Sequence, residues 1–314
     1  MNGKTVKRFF FKIILIIIPF VLLLFVLNFA YKSSFYWKTQ RVQSKFLNVP
    51  DNIQLANLGS SQGHCSFNYE AFPEYQCFNF AVPWQHNKYN YYVLKQYADN
   101  LAPGAVLLIP IAYFDITRIE KDVYENYYGI LDKKNFPDWN MKDWFEVEIL
   151  PVCFTKDVWK KLRMNQEKFS AFIPKRIPIP ENDLILQSEG TFYTWTEKTE
   201  AEQGEKGFEY NIEMMSKIID FCYKNDIVPV MVSTPQIDVL NNLYVKIGFF
   251  ETFCKFTDEL KKKYPALLYF DYSRNRDYAN DSSLFSDVAH LNVYGAKKFT
   301  AQIMQDLKDT GLLE

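Results

Sequence analysis

The chain opens on a run from Ile13 to Tyr31 that contains no charged residue and is dominated by Ile, Leu, Val and Phe. A helix rises about 1.5 Å per residue, so such a run is long enough to cross the hydrocarbon core of a bilayer. Beyond Tyr31 the pattern changes to short apolar runs separated by stretches of helical period. The apolar runs predict strands at 53–59, 76–80, 105–111, 227–233 and 267–271, and the spacing between them predicts helices over 89–98, 210–223 and 249–262. A last helix begins at Tyr294, where Phe299, Ile303 and Leu307 recur on one face. Strands alternating with helices predict an α/β fold, a three-layer αβα sandwich with a flavodoxin-like parallel sheet of about five strands.

Residues 117–207 do not follow this rhythm. They carry clusters such as Phe136-Pro137-Asp138-Trp139 and Ile177-Pro178-Ile179-Pro180. A connection so long is read as an insertion or cap, because structureless loops of that length inside a compact domain are uncommon. Its Trp139, Trp144, Trp159 and Trp195 could offer aromatic faces to a ligand or simply pack the insertion. The predicted organisation is a basic cytoplasmic segment (1–12), a membrane anchor (13–31), a juxtamembrane linker (32–50) and an α/β domain (51–314).

The charge distribution narrows the class. The 36 Lys and Arg nearly balance the 37 Asp and Glu, which excludes the broad basic footprint of a nucleic-acid binder. Lys4, Lys7, Arg8 and Lys12 precede the apolar run without an intervening acid; Lys32, Lys38, Arg41 and Lys45 follow it. The denser N-terminal cluster predicts an N-terminus in the cytoplasm and a domain outside it, on a single-pass cell-membrane protein. The five cysteines are odd in number and lack metal-site spacing; they read as small buried hydrophobes, with Cys65 and Cys77 the closest pair.

Two short segments carry candidate chemistry. Leu55 to Gly63 reads as an apolar strand entering the turn Gly59-Ser60-Ser61, which would put a serine at the carboxyl end of a parallel strand. Ser286 to Asn292 contains Asp287 and His290. That spacing lets the carboxylate hold imidazole Nδ1 and leaves Nε2 free to take a serine proton. Of the other two histidines, His64 and His86, neither has an aspartate so placed, and both read as partly buried polar residues.

Together, Gly59-Ser60-Ser61 and Asp287-x-x-His290-Leu291-Asn292-x-x-Gly295 resemble the first and last blocks of the SGNH/GDSL hydrolase family. The likeness extends to membrane-anchored cell-envelope members similar to the D-alanyl transfer protein of teichoic acid modification. The resemblance implies Ser61 as nucleophile, His290 as base and Asp287 as its partner, with no cofactor and no metal. It also implies transfer or hydrolysis of a small acyl group, acetyl or D-alanyl, on a cell-surface glycan or polyol polymer, and a membrane-bound O-acyltransferase as partner. The usual glycine and asparagine of the middle blocks are missing from 79–83 and 109–115. The backbone of Ala81 and the hydroxyl of Tyr113 are the candidate oxyanion donors, Tyr113 being equally well a packing aromatic. Two rival readings remain: a non-catalytic SGNH-like subunit scaffolding an envelope-modifying complex, and a metal-dependent hydrolase ligated by Asp287 and His290.

Overall fold

The computed structural model describes residues 3–119, 124–166, 176–200 and 204–314. The chain forms two compact units, one of residues 1–47 with 124–167 and the other of residues 48–123 with 168–314. The segment 117–207, expected to form one insertion, is therefore shared between the two. Trp139, Trp144 and Trp159 belong to the first unit, and the side chain of Trp195 lies outside the described residues.

The first unit is built on α1 (Gly3–Lys32). Its stretch Phe11–Lys32 reaches a mean hydropathy of 3.1 over an 18-residue window, none of which is buried, and is long and apolar enough to cross a membrane. Pro19 lies within it; the missing N–H is tolerated far better in a spanning helix than in a soluble one. The carboxyl end of α1 is tied to 124–167 by side-chain hydrogen bonds. Asn28 Nδ2 donates to the Ile149 carbonyl at 3.0 Å, and Lys32 Nζ to that of Glu148 at 2.6 Å. Arg41 completes this joint by pairing with Glu148 Oε1 at 2.8 Å and lying 3.5 Å from the centre of the Trp37 ring.

The second unit contains, in chain order, β1 (Ile53–Asn57), α2 (Ser61–Ser66), β2 (Cys77–Asn79), α3 (Asn87–Tyr97), β3 (Leu101–Pro110), α4 (Glu181–Glu200) and α5 (Gly204–Lys224). It continues with β4 (Val228–Ser233), α6 (Asp238–Lys246), α7 (Phe249–Lys263), β5 (Leu268–Asp271), β6 (Phe285–Asp287), β7 (His290–Leu291) and α8 (Val293–Asp309). The first five strands form one parallel sheet in the order β2-β1-β3-β4-β5, and β6 and β7 form a separate antiparallel ladder. This is the predicted α/β architecture, with the five expected strands reproduced to within a few residues.

Side chains alternate across a strand, and both faces of this sheet are covered. Leu55, Val106, Leu108, Val230 and Val232 share one core with Phe299, Ile303 and Leu307 of α8. On the alternate positions Leu107, Ile109 and Met231 are fully buried, as are Met215, Ile218 and Ile219 of α5, which packs against β4 and α3. Each such side chain contributes about 1.5–3 kcal/mol through apolar burial. None of the five cysteines is bridged; Cys65 and Cys222 are buried and Cys153 is exposed.

Candidate active site

In this strand order the chain leaves β1 toward β2 on one side and returns to β3 on the other. The carboxyl end of β1 is thus the switch point at which open parallel sheets leave a crevice. The segment that emerges there is Leu58-Gly59-Ser60-Ser61. Gly59 has φ +118°, a conformation that side-chain-bearing residues rarely adopt, and a Cβ at this position would meet Pro110 Cγ at 3.1 Å. The chain can therefore turn sharply and start α2 at Ser61.

A buried set of amide side chains holds the turn. Gly59 N donates to Asn90 Oδ1 at 2.9 Å, and the same oxygen accepts from Gln85 Nε2 at 2.6 Å. Asn90 Nδ2 donates to Asn87 Oδ1 at 3.3 Å, Asn87 Nδ2 to Asn211 Oδ1 at 3.0 Å, and Asn211 Nδ2 to the Arg118 carbonyl at 3.1 Å. On the other side Asn57 Nδ2 reaches the carbonyls of Leu58 and Gly63 at 3.0 and 3.3 Å and Asn79 Oδ1 at 3.0 Å. Asn79 Nδ2 in turn donates to the carbonyls of Gly63, His64 and Phe67. These networks fix the backbone on both sides of Ser61 through amide hydrogen bonds in a largely buried setting.

The second segment is built by the β6–β7 hairpin, in which Asp287 and His290 are directly paired. Asn292 closes its base. Its Oδ1 accepts the N–H groups of Tyr294 and Gly295, capping α8, and its Nδ2 donates to the carbonyls of Ser283 and Phe285. Gly295 packs so closely on the preceding loop that a Cβ would lie 2.1 Å from the Leu284 carbonyl oxygen. The helix α8 also braces the exit of α2, since Thr300 Oγ1 accepts from Asn68 N at 2.8 Å and Phe299 packs on Phe67.

The two segments bring three predicted residues into line. Ser61 Oγ and His290 Nε2 are 2.8 Å apart, and His290 Nδ1 lies 2.8 Å from Asp287 Oδ1 and 2.9 Å from Oδ2. A proton on Nδ1 donates to the carboxylate and leaves Nε2 to accept the serine hydroxyl. Asp287 Oδ1 also accepts the N–H groups of Ala289 and His290 at 2.9 and 3.0 Å. Burial alone would raise the Asp287 pKa. The bond to the His290 ring, its charge and the two backbone N–H groups outweigh that effect and hold the carboxyl below its ordinary value.

The two oxyanion candidates are not presented in the predicted way. Ala81 is fully buried and its N–H donates to Asn79 Oδ1 at 3.0 Å. Tyr113 is buried against Tyr244 and Phe253, with its hydroxyl 3.1 Å from Ser273 Oγ; burial pushes its pKa up to about 12. In both cases a local acceptor or packing surface, invisible to spacing, has taken the group. Gln62, the next residue in the chain, is buried, and its Nε2 has no hydrogen-bond partner among the described residues. Ser61 itself opens α2, where first-turn N–H groups have no helical carbonyl to meet. His64 and His86 are half-buried, as expected.

No protein-family model matches the chain, and no curated protein matches it significantly in sequence. Among solved structures it is similar to a crystal structure from Bacteroides fragilis described as a "putative acylhydrolase". The TM-score is 0.41 and the identity 12%, over 88% of this chain and 97% of that one. A likeness so distant does not bear on the chemistry of the site.

Proposed function

We propose that this protein is a membrane-anchored serine esterase or O-acyltransferase of SGNH type, acting outside the cytoplasm on a glycan or polyol polymer of the cell envelope. The observation that carries the reading is the unbroken line from Ser61 Oγ through His290 to Asp287. In the reaction His290 Nε2 takes the hydroxyl proton as Ser61 Oγ attacks the acyl carbonyl. It returns that proton to the departing oxygen, leaving an acyl group esterified to Ser61. Water or an acceptor hydroxyl then attacks the ester, again with His290 as base, and Ser61 recovers its proton. Asp287 holds the imidazole in the required tautomer throughout. The oxyanion would be met by N–H groups of the first turn of α2, the Ser61 N–H first, which have no helical carbonyl to meet. An acetyl or D-alanyl group and a membrane-bound O-acyltransferase that delivers it fit the anchor and the family resemblance.

The decisive experiment is labelling of the full chain, in membranes, with a fluorophosphonate probe. Wild-type protein is expected to label and Ser61→Ala not to. The occupied Ala81 N–H and Tyr113 hydroxyl favour a second reading, a non-catalytic SGNH-like scaffold, and for that reading no labelling is expected. The topology is tested by fusion at Glu314 of a reporter active only outside the cytoplasm. An inactive fusion alongside an active cytoplasmic one would reverse the orientation.

A further inference from the structure

The unit that carries α1 has a cleft, partly open to solvent, of about 560 Å³, within the roughly 300–1,000 Å³ range of small-molecule sites. It begins where the apolar span ends. Tyr31, in the last turn of α1, contributes to the lining, followed by Tyr36 and Trp37. The rings of Tyr36 and Trp37 lie 6.2 and 5.4 Å from that of Tyr31, forming an aromatic wall at the level where such residues face lipid headgroups.

The rest of the lining carries both signs of charge. Arg41 is already held by Glu148 and the Trp37 ring, so it serves as a rigid part of the wall. Lys156 and Lys161 supply further cations, Lys161 lying 4.8 Å from the centre of the Tyr36 ring. Glu125, Asp143 and Glu146 supply carboxylates, Asp143 accepting from Asn140 Nδ2 at 2.6 Å and Glu146 lying 3.9 Å from Lys142. A purely anionic ligand would meet these acids, and an apolar one would strip water from five charged groups besides Arg41 without pairing them. A ligand carrying one phosphate and one ammonium would satisfy both sets.

We infer that this cavity binds the zwitterionic headgroup of a membrane phospholipid, its phosphate toward Lys156 and Lys161 and its ammonium toward Asp143 and Glu146. The inference rests on the anchor in the proposed function, not on the serine chemistry. Headgroup capture at the end of α1 would add a second, specific attachment to the bilayer beside the hydrophobic one.

Native mass spectrometry of the detergent-solubilised full chain tests this with phosphatidylethanolamine, phosphatidylglycerol, diacylglycerol and soluble phosphoethanolamine as separate probes. Phosphatidylethanolamine is expected to be retained at least about tenfold more tightly than diacylglycerol. Lys156→Glu with Lys161→Glu should abolish that preference, and the paired Arg variants should keep it. Equal retention of the two lipids, a preference for phosphatidylglycerol, or binding of soluble phosphoethanolamine alone would each overturn the inference. So would release of the protein from membranes by alkaline carbonate, which would remove the anchor. Fluorophosphonate labelling of Ser61 is expected to be unchanged in the charge-reversed protein. An unlabelled serine beside an intact lipid preference would sink the serine chemistry and leave the lipid site standing.

Discussion

Asn90 Oδ1 accepts the backbone N–H of Gly59 at 2.9 Å, linking the helix after β2 to the turn that presents the candidate nucleophile. Asn90→Ala strands the buried N–H of Gly59 and the Gln85 amide, each a loss of about 1–3 kcal/mol. Kinetics on an aryl ester should show kcat reduced about 10- to 100-fold with KM nearly unchanged, because only the aim of Ser61 is disturbed. A KM effect alone would make Asn90 a substrate contact instead.

Ser61→Ala and His290→Ala should each abolish turnover by comparable factors, since groups acting as one unit are not additive. The double variant is expected to be no worse than either single one. Ser60→Ala should retain most activity: Ser60 precedes α2 and its side chain makes no capping bond there. Single-turnover release of product from an activated ester measures all four proteins, and a lethal Ser60→Ala with a tolerated Ser61→Ala would exchange their roles.

Burial pushes the Asp115 carboxyl up to about 6, against the opposing charges of His86 and Arg118. The folded state therefore keeps this proton where the unfolded chain, at about 4, has lost it. Asp115 should make the protein less stable as pH rises from about 4 to about 6, with no further change above. The difference in Tm between wild type and Asp115→Asn across that window isolates the contribution. A difference that grows in favour of the wild type as pH rises would contradict it.

Gly295→Ala drives a methyl group into the Leu284 carbonyl, at a cost of at least about 1–3 kcal/mol. The loop that must shift leads directly into β6 and Asp287. Chemical denaturation should show lower stability, and fluorophosphonate labelling should slow in the fraction that remains folded. Full stability with full labelling would show that the loop is freer than its packing indicates.

The parallel strands were legible because the central ones, β1, β3 and β4, are largely buried on both faces and read as short apolar runs between turn residues, while the half-buried edge strands β2 and β5 are shorter versions of the same pattern. Asp287 and His290 were legible because their pairing is local, set by a hairpin only a few residues long. The α4 helix was missed although Pro180 followed by Glu181 and Asp183 is a fair start signal, with acids in the first turn facing the positive end of the helix dipole. What spacing could not reveal were contacts between distant side chains. The amide relay from Asn90 to Asn211, and the capture of the Ala81 N–H by Asn79, depend on rotamers that only the assembled core selects.

The hydrogen bond between Ser61 and His290 joins residues 229 positions apart. On the ribosome the base is made 229 residues after the nucleophile, so the pair cannot form until that intervening chain has been synthesised. A protein threading its domain across a membrane would thus emerge chemically silent and acquire a reactive serine only when α8 docks beneath the sheet. Such long-range closure is slow to find during folding. For the proposed function, the delay would separate insertion of α1 from the onset of chemistry.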